Sequence, residues 1–161
     1  MPTLHVQYNA TSADPQGQLV NVPPPIVLKS HGPRVQVEIG IHQAFATQLQ
    51  SQNVALPSAY KGTALVDTGA SVTCVDFDLA SSMGLPIVDV VTMASASHAG
   101  TPADVYPIRI ELLGLGYSFD IGRALGASLR TQGFDALIGR DILERCTLIY
   151  SGAIGQISLC V

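Results

Sequence analysis

Charge is scarce in this sequence. Only 12% of its 161 residues are Asp, Glu, Lys or Arg, the net charge is -4, and the eight basic residues are scattered rather than clustered. That balance exerts no general pull toward nucleic acid or an anionic membrane, so neither is an expected partner. Cysteine is scarce too. Cys74, Cys146 and Cys160 are odd in number and lack Cys-x-x-Cys spacing, which suggests neither a disulfide framework nor a zinc site and leaves three free thiols. His5, His31, His42 and His98 show no metal-ligand spacing. Every apolar run is far shorter than the ~20 residues a membrane-crossing helix needs. The N-terminus lacks the basic start, apolar stretch and small-residue cleavage site of a secretory signal, so the expected setting is cytoplasmic. No internal repeat is visible.

Against these absences stand 47% hydrophobic residues, 15 glycines and 10 prolines. Such a chain has the material for one buried core and for many turns between short strands, a β-rich single domain. Residues 1–30 mix strand-like pieces with polar turns, and Pro23 to Pro25 predict an extended, non-helical path there. From Arg34 the alternation of Val35, Val37, Ile39 and Ile41 with Gln36, Glu38 and His42 predicts a half-buried strand. Ala44 to Ser58 is polar and Gln-rich and reads as a loop or a short weak helix. Asp76 is placed to cap a brief helix over Phe77 to Met83. Ile87 to Met93 and Val105 to Leu112 read as strands joined by the small residues 94–101, a hairpin arm. Tyr117 to Ile121, Cys146 to Tyr150 and Gln156 to Cys160 complete the strands, with a short helix over Arg140 to Arg145.

The stretch that carries chemistry is Ala64-Leu65-Val66-Asp67-Thr68-Gly69-Ala70-Ser71. Apolar strand-like residues deliver a carboxylate to a glycine-containing turn. Aspartate is rarely buried without partners, and Thr68 and Gly69 can supply a hydroxyl and a close backbone N–H to orient it. Alone, the tripeptide is also an ordinary turn combination. A second run, Ala136-Leu137-Ile138-Gly139-Arg140-Asp141-Ile142-Leu143, follows much later in the chain. In this order and spacing the two runs resemble the Asp-Thr-Gly-Ala signature and the apolar-apolar-Gly-Arg segment of retropepsins, the single-domain, retroviral-type aspartic proteases. The resemblance spans roughly Gly32 to Val161.

That resemblance implies an all-β fold: a single-domain closed β-barrel with one short C-terminal helix, half of a two-lobed pepsin-like architecture. Residues 31–161 would be the catalytic domain, and residues 1–30 an extended arm or a removable leader. It implies Asp67 as the catalytic carboxylate, with Thr68, Gly69 and Ala70 completing the active-site loop. Ser95, Ala96, Ser97, His98, Ala99 and Gly100 become flap candidates, with His98 able to affect substrate choice through its charge. Gly139 and Arg140 become a structural brace. The implied reaction is hydrolysis of peptide bonds by a water held between two carboxylates that share one proton, with no metal or cofactor. Asp14, Asp76, Asp78, Asp89, Asp104, Asp120, Asp135 and Asp141 all lack the signature context. The implied partner is therefore a second copy in a homodimer, besides the peptide or protein substrate. A non-catalytic dimerisation or peptide-binding module is the alternative. Three features depart from the retroviral pattern: Ser71 and Val72 stand where acidic residues are common, 94–101 lacks multiple glycines, and the chain continues past Tyr150.

Overall fold

The computed structural model describes residues 2–93 and 100–161. Its first half runs β1 (Thr3–Gln7), β2 (Ala10–Ala13), β3 (Leu19–Val22), α1 (Pro24–His31), β4 (Arg34–Ile41), α2 (Gln43–Ser51), β5 (Tyr60–Val66), β6 (Cys74–Asp76) and α3 (Phe77–Ser82). Its second half runs β7 (Asp89–Met93), β8 (Thr101–Leu112), β9 (Tyr117–Ala127), β10 (Ala136–Ile138), α4 (Arg140–Leu143), β11 (Thr147–Ser151) and β12 (Gln156–Cys160).

A closed barrel of six strands forms the body. Its order is β4-β5-β10-β6-β9-β8, and β8 pairs back with β4 to leave no open edge. The alternation in β4 points Val35, Val37 and Ile39 inward, all essentially sealed from water, while Gln36 stays exposed. Each such side chain contributes about 1.5–3 kcal/mol on burial. Ile108, Ile110 and Leu112 of β8 fill the same core. Farther up β8 a register shift between Tyr106 and Ile108 breaks the alternation at Pro107, so Val105 and Tyr106 are both buried. Proline cannot donate to a ladder and is at home in such a bulge. The first half of β8 pairs with β7 and its second half with β4, so a two-stranded arm projects from the barrel.

The expectation of an all-β chain with one short C-terminal helix is overturned: among the described residues four α-helices are spread through the sequence. Helix α1 lies where the three prolines argue for an extended path. Pro24 and Pro25 occupy the opening positions of that helix, where the missing N–H has no intrahelical role, and Val27 and Leu28 are buried by it. Helix α2 forms in the polar stretch because the His42 side chain accepts from the Ala44 N–H and Ala46 packs on the barrel. Tertiary contact, rather than sequence periodicity, stabilises both. Strand β9 also runs well beyond the expected Ile121, to Ala127.

The N-terminal segment is woven into the same body. β1 pairs antiparallel with β12 from Thr3↔Cys160 to Gln7↔Gln156, and the Tyr8 hydroxyl donates to the Arg34 carbonyl at 2.8 Å. Leu28 has no exposed surface.

Asp76 closes the barrel's far side and is 2% exposed. One oxygen accepts the Leu79 N–H at the start of α3, and the other accepts the N–H groups of Leu129 and Arg130. Burial alone would push this carboxyl up, but those three N–H groups and the Arg130 charge outweigh it and hold the carboxyl below its ordinary 3.8. A carboxyl that ionises more easily when folded stabilises the fold above its ordinary value, and this contribution is lost as the pH falls through the depressed one. Asp76→Ala therefore costs about 3 kcal/mol at neutral pH. In urea titrations its deficit against the parent chain shrinks as the solution is acidified below the ordinary carboxylate value.

Candidate active site

Parallel pairing of β5 with β10 sets Val66 opposite Ile138, so the chain leaves the sheet at Asp67 and at Gly139 side by side. The Asp67 N–H donates to the Ile138 carbonyl at 3.0 Å. Beyond it the chain turns sharply, with the Ala70 N–H on the Asp67 carbonyl at 3.3 Å and the Gly69 N–H on Asp67 Oδ1 at 2.8 Å. A β-carbon at Gly69 would stand 3.0 Å from that oxygen, which favours glycine there. Asp67 is half-buried, and among the described residues its Oδ2 has no hydrogen-bond partner.

The two signature runs are laced together. Arg140 Nη1 donates to the carbonyls of Thr68 and Gly69 at 2.9 and 3.1 Å, and the Arg140 N–H donates to the Ala70 carbonyl. Asp141 accepts from both the N–H and the hydroxyl of Thr73, at 2.9 and 2.7 Å, while Thr73 Oγ1 accepts from the Gly139 N–H. A β-carbon at Gly139 would collide with the Val72 carbonyl group, so the crossing is open to glycine alone.

Asp67 and the Gly69–Val72 turn form one wall of a cleft of about 860 Å³. Thr92 and Met93 of the projecting arm form another, and Leu125, Ala127, Leu129 and Leu137 make an apolar floor. A second hollow, of about 410 Å³ between the N-terminal strand and Arg34, holds none of the signature residues. Among the described residues Asp67 is the only acidic group lining the larger cleft. Cys74 also borders it, but burial, with the charges of Asp141 and Asp67 adding to it, pushes the thiol up to about 11. It stays protonated at neutral pH and is no nucleophile.

No family model matches the chain, and no curated protein matches it. Among solved structures it is similar to a retropepsin-like aspartic protease from Rickettsia conorii, with a TM-score of 0.44 and 15% identity over 98% of this chain and 92% of that one. It is also similar to the retroviral protease-like domain of Ddi1 from Leishmania major, with a TM-score of 0.40 and 15% identity over 73% of this chain and 80% of that one. Both are distant likenesses of fold.

Of the residues singled out in the sequence, Asp67, Thr68, Gly69, Ala70, Gly139 and Arg140 meet in one place. Gly100 lies apart from them on the projecting arm, next to Thr101, which pairs with Met93. Ser95, Ala96, Ser97, His98 and Ala99 lie outside the described residues. Thr73 and the leucines of the floor were not singled out by sequence. Thr73 sits in Val72 to Val75, a run that reads only as a short strand, and the leucines come from β9, β10 and the connection between them. Among the described residues no group of three His, Cys, Asp or Glu side chains gathers to hold a metal, and no helix is long and apolar enough to cross a membrane.

Thr73→Val keeps the shape but strands the Gly139 N–H and removes one of the two bonds that Thr73 gives Asp141. The expected loss is about 2 kcal/mol of stability, read as a lower urea midpoint with an unchanged slope.

Proposed function

We propose that the chain is an aspartic endopeptidase whose working form is a homodimer. What carries this reading is the geometry at Asp67: a carboxylate held by a glycine N–H, with its second oxygen open at the rim of an apolar cleft. Three other acids of the barrel are otherwise engaged. Asp76, Asp135 and Asp141 each accept backbone N–H groups that fasten the barrel, so one chain offers half of a two-carboxylate site. The other half is Asp67 of the second copy.

In this mechanism one Asp67 takes a proton from a water lodged between the pair. Its mate donates a hydrogen bond, then a proton, to the oxygen of the carbonyl under attack. The roles belong to the coupled pair, not to either chain. A substrate lies extended between the Asp67 turns and the β7–β8 arms, its backbone hydrogen-bonded like an added strand and its side chains reaching the leucine floor. No cofactor is invoked. Three free cysteines fit a reducing compartment such as the cytoplasm.

Residues 1–30 are best read as an integral arm. The pairing of β1 with β12 and the burial of Leu28 support this over a removable leader. A version starting near Ser30 is accordingly expected to lose cooperative unfolding by circular dichroism. A folded and more active truncation would identify a leader instead.

Asp67→Asn is the direct test of the mechanism. It replaces an acceptor-only carboxylate by an amide of the same shape, so cleavage of a peptide library drops by about 1,000-fold or more while the urea midpoint holds. Undiminished cleavage excludes the mechanism. A parent chain that binds peptides without cutting them from acid to neutral pH points to the non-catalytic module.

A further inference from the structure

The hollow of about 410 Å³ between the N-terminal strand and Arg34 holds none of the residues of the Asp67 site, and its two ends differ in chemistry. Arg34 and Gln36 stand two apart on β4, so both point outward from the barrel, opposite to the sealed Val35. At the Arg34 end lies Gly133, whose carbonyl accepts from Arg34 Nη1 at 2.9 Å. At the Gln36 end lie Leu113, whose N–H donates to the Gln36 carbonyl at 3.0 Å, and Leu4, whose Cδ1 is 3.3 Å from where a β-carbon on Gly114 would stand. Thr63 faces Gln36 across the ladder, and its Oγ1 accepts from the Gln36 side chain at 3.2 Å.

The charge at the first end is held in place but not neutralised. Arg34 Nε donates to the His31 carbonyl at 2.8 Å and Nη2 to the Gln132 carbonyl at 3.1 Å, and the guanidinium lies 5.5 Å from the centre of the Phe134 ring. With the bond to Gly133 these take up three of its N–H groups, and one is left on each Nη. None of the ion pairs among the described residues includes Arg34, and no acidic side chain among them lines the hollow. A cation already fixed by its neighbours loses little further freedom on meeting an anion. Its flat pair of spare donors matches a carboxylate. A lone positive charge, in a chain of net charge -4, suits a singly charged group better than a phosphate monoester.

We infer that this hollow binds the carboxyl end of a peptide whose last residue is apolar. The carboxylate meets Arg34, the last peptide group lies along Gln36 and Thr63, and the aliphatic side chain enters between Leu4 and Leu113. The amide and hydroxyl between the two ends decide for a peptide over a plain fatty acid, whose methylene chain would set both polar groups against hydrocarbon. The volume falls in the usual range for sites that take small ligands, roughly 300–1,000 Å³. Capture of a chain end by fixed donors is a recurring mode of peptide recognition. Neither Asp67 nor cleavage enters into this binding.

The test titrates the full chain calorimetrically with the N-acetylated dipeptide Ala-Leu, with its carboxamide and with octanoate. The free acid is expected to bind with a dissociation constant on the order of 100 μM to 1 mM, and the carboxamide at least about 10-fold more weakly. Arg34→Gln is expected to abolish binding of the acid. Because that change also releases Gln132 and Gly133, Gln36→Glu serves as the second variant. It leaves all three Arg34 bonds in place, sets a like charge in the hollow and weakens the acid by about 10-fold or more while the urea midpoint holds. Equal binding of acid and carboxamide, a folded Gln36→Glu that binds as the parent does, or no binding of any probe at about 10 mM overturns the site. Octanoate binding more tightly than the dipeptide overturns the peptide as its occupant.

Discussion

The site depends on where two short parallel strands end. β5 and β10 belong to opposite halves of the chain, and only their pairing brings Asp67 next to Gly139. Parallel strands require a long crossover, and here β6, α3, β7, β8 and β9 supply it. The register is set by burial. Ala64, Val66, Ala136 and Ile138 face the main core and are almost wholly enclosed, while Leu65 and Leu137 point the other way into a second, smaller apolar cluster around Cys74, Leu129 and Phe134. A slip of one residue would exchange these faces, so the packing of both clusters fixes the place of the Asp67 turn. The smaller cluster opens into the cleft through Leu125, Ala127 and Leu137. Thus the packing that fixes the register also builds the apolar floor.

The carboxylates of the barrel divide by what they accept. Asp76, Asp135 and Asp141 take up backbone N–H groups at crossings where the ladder cannot satisfy them, the task buried acids perform most economically. Asp67 is different in kind: among the described residues a single N–H reaches one oxygen and nothing bonds the other, at the border of the cleft. An acid used for fastening is saturated with donors, whereas one used for proton transfer must keep a lone pair within reach of substrate or water. That contrast separates Asp67 from its neighbours on bond inventory alone, independently of any motif.

Much of this was legible in the sequence, though unevenly. The alternation of Val35, Val37 and Ile39 and the cap at Asp76 are local signals, and the structure places them as local rules demand. The pairing of the Asp67 and Gly139 runs was visible only as a resemblance, because no local rule links two segments so far apart. Helix α1 was misread, and α2 was read only as a loop or a short weak helix, each for a physical reason. α1 has its prolines at the few helix positions that tolerate them, and α2 has little apolar periodicity and forms against the barrel wall. The bulge at Pro107 and the extension of β9 to Ala127 follow from barrel closure, a constraint that exists only once all six strands are in place. For the same reason the floor leucines could not be assigned, since β9, β10 and the connection between them must be in place before Leu125, Leu129 and Leu137 share one hollow.

Arg140 holds the Asp67 turn without help from a carboxylate. Ser71 and Val72 beside the turn carry no charge, and no carboxylate pairs with the Arg140 guanidinium among the described residues. Instead it donates to two successive carbonyls of the Asp67 turn while its own N–H holds a third. Peptide carbonyls are weaker acceptors than a carboxylate, but they belong to the very backbone whose shape must be kept. The guanidinium therefore acts on the turn directly rather than through a side chain with torsions of its own. A lysine could donate to the same oxygens, yet its freely rotating ammonium lacks the planar set of donors that holds two neighbouring carbonyls in a fixed relation. Fixing those carbonyls fixes the peptide plane of Gly69, and with it the N–H that meets Asp67 Oδ1. Orientation of the acid is in this way set by a residue that does not line the cleft, so the brace takes up none of the cleft face of Asp67.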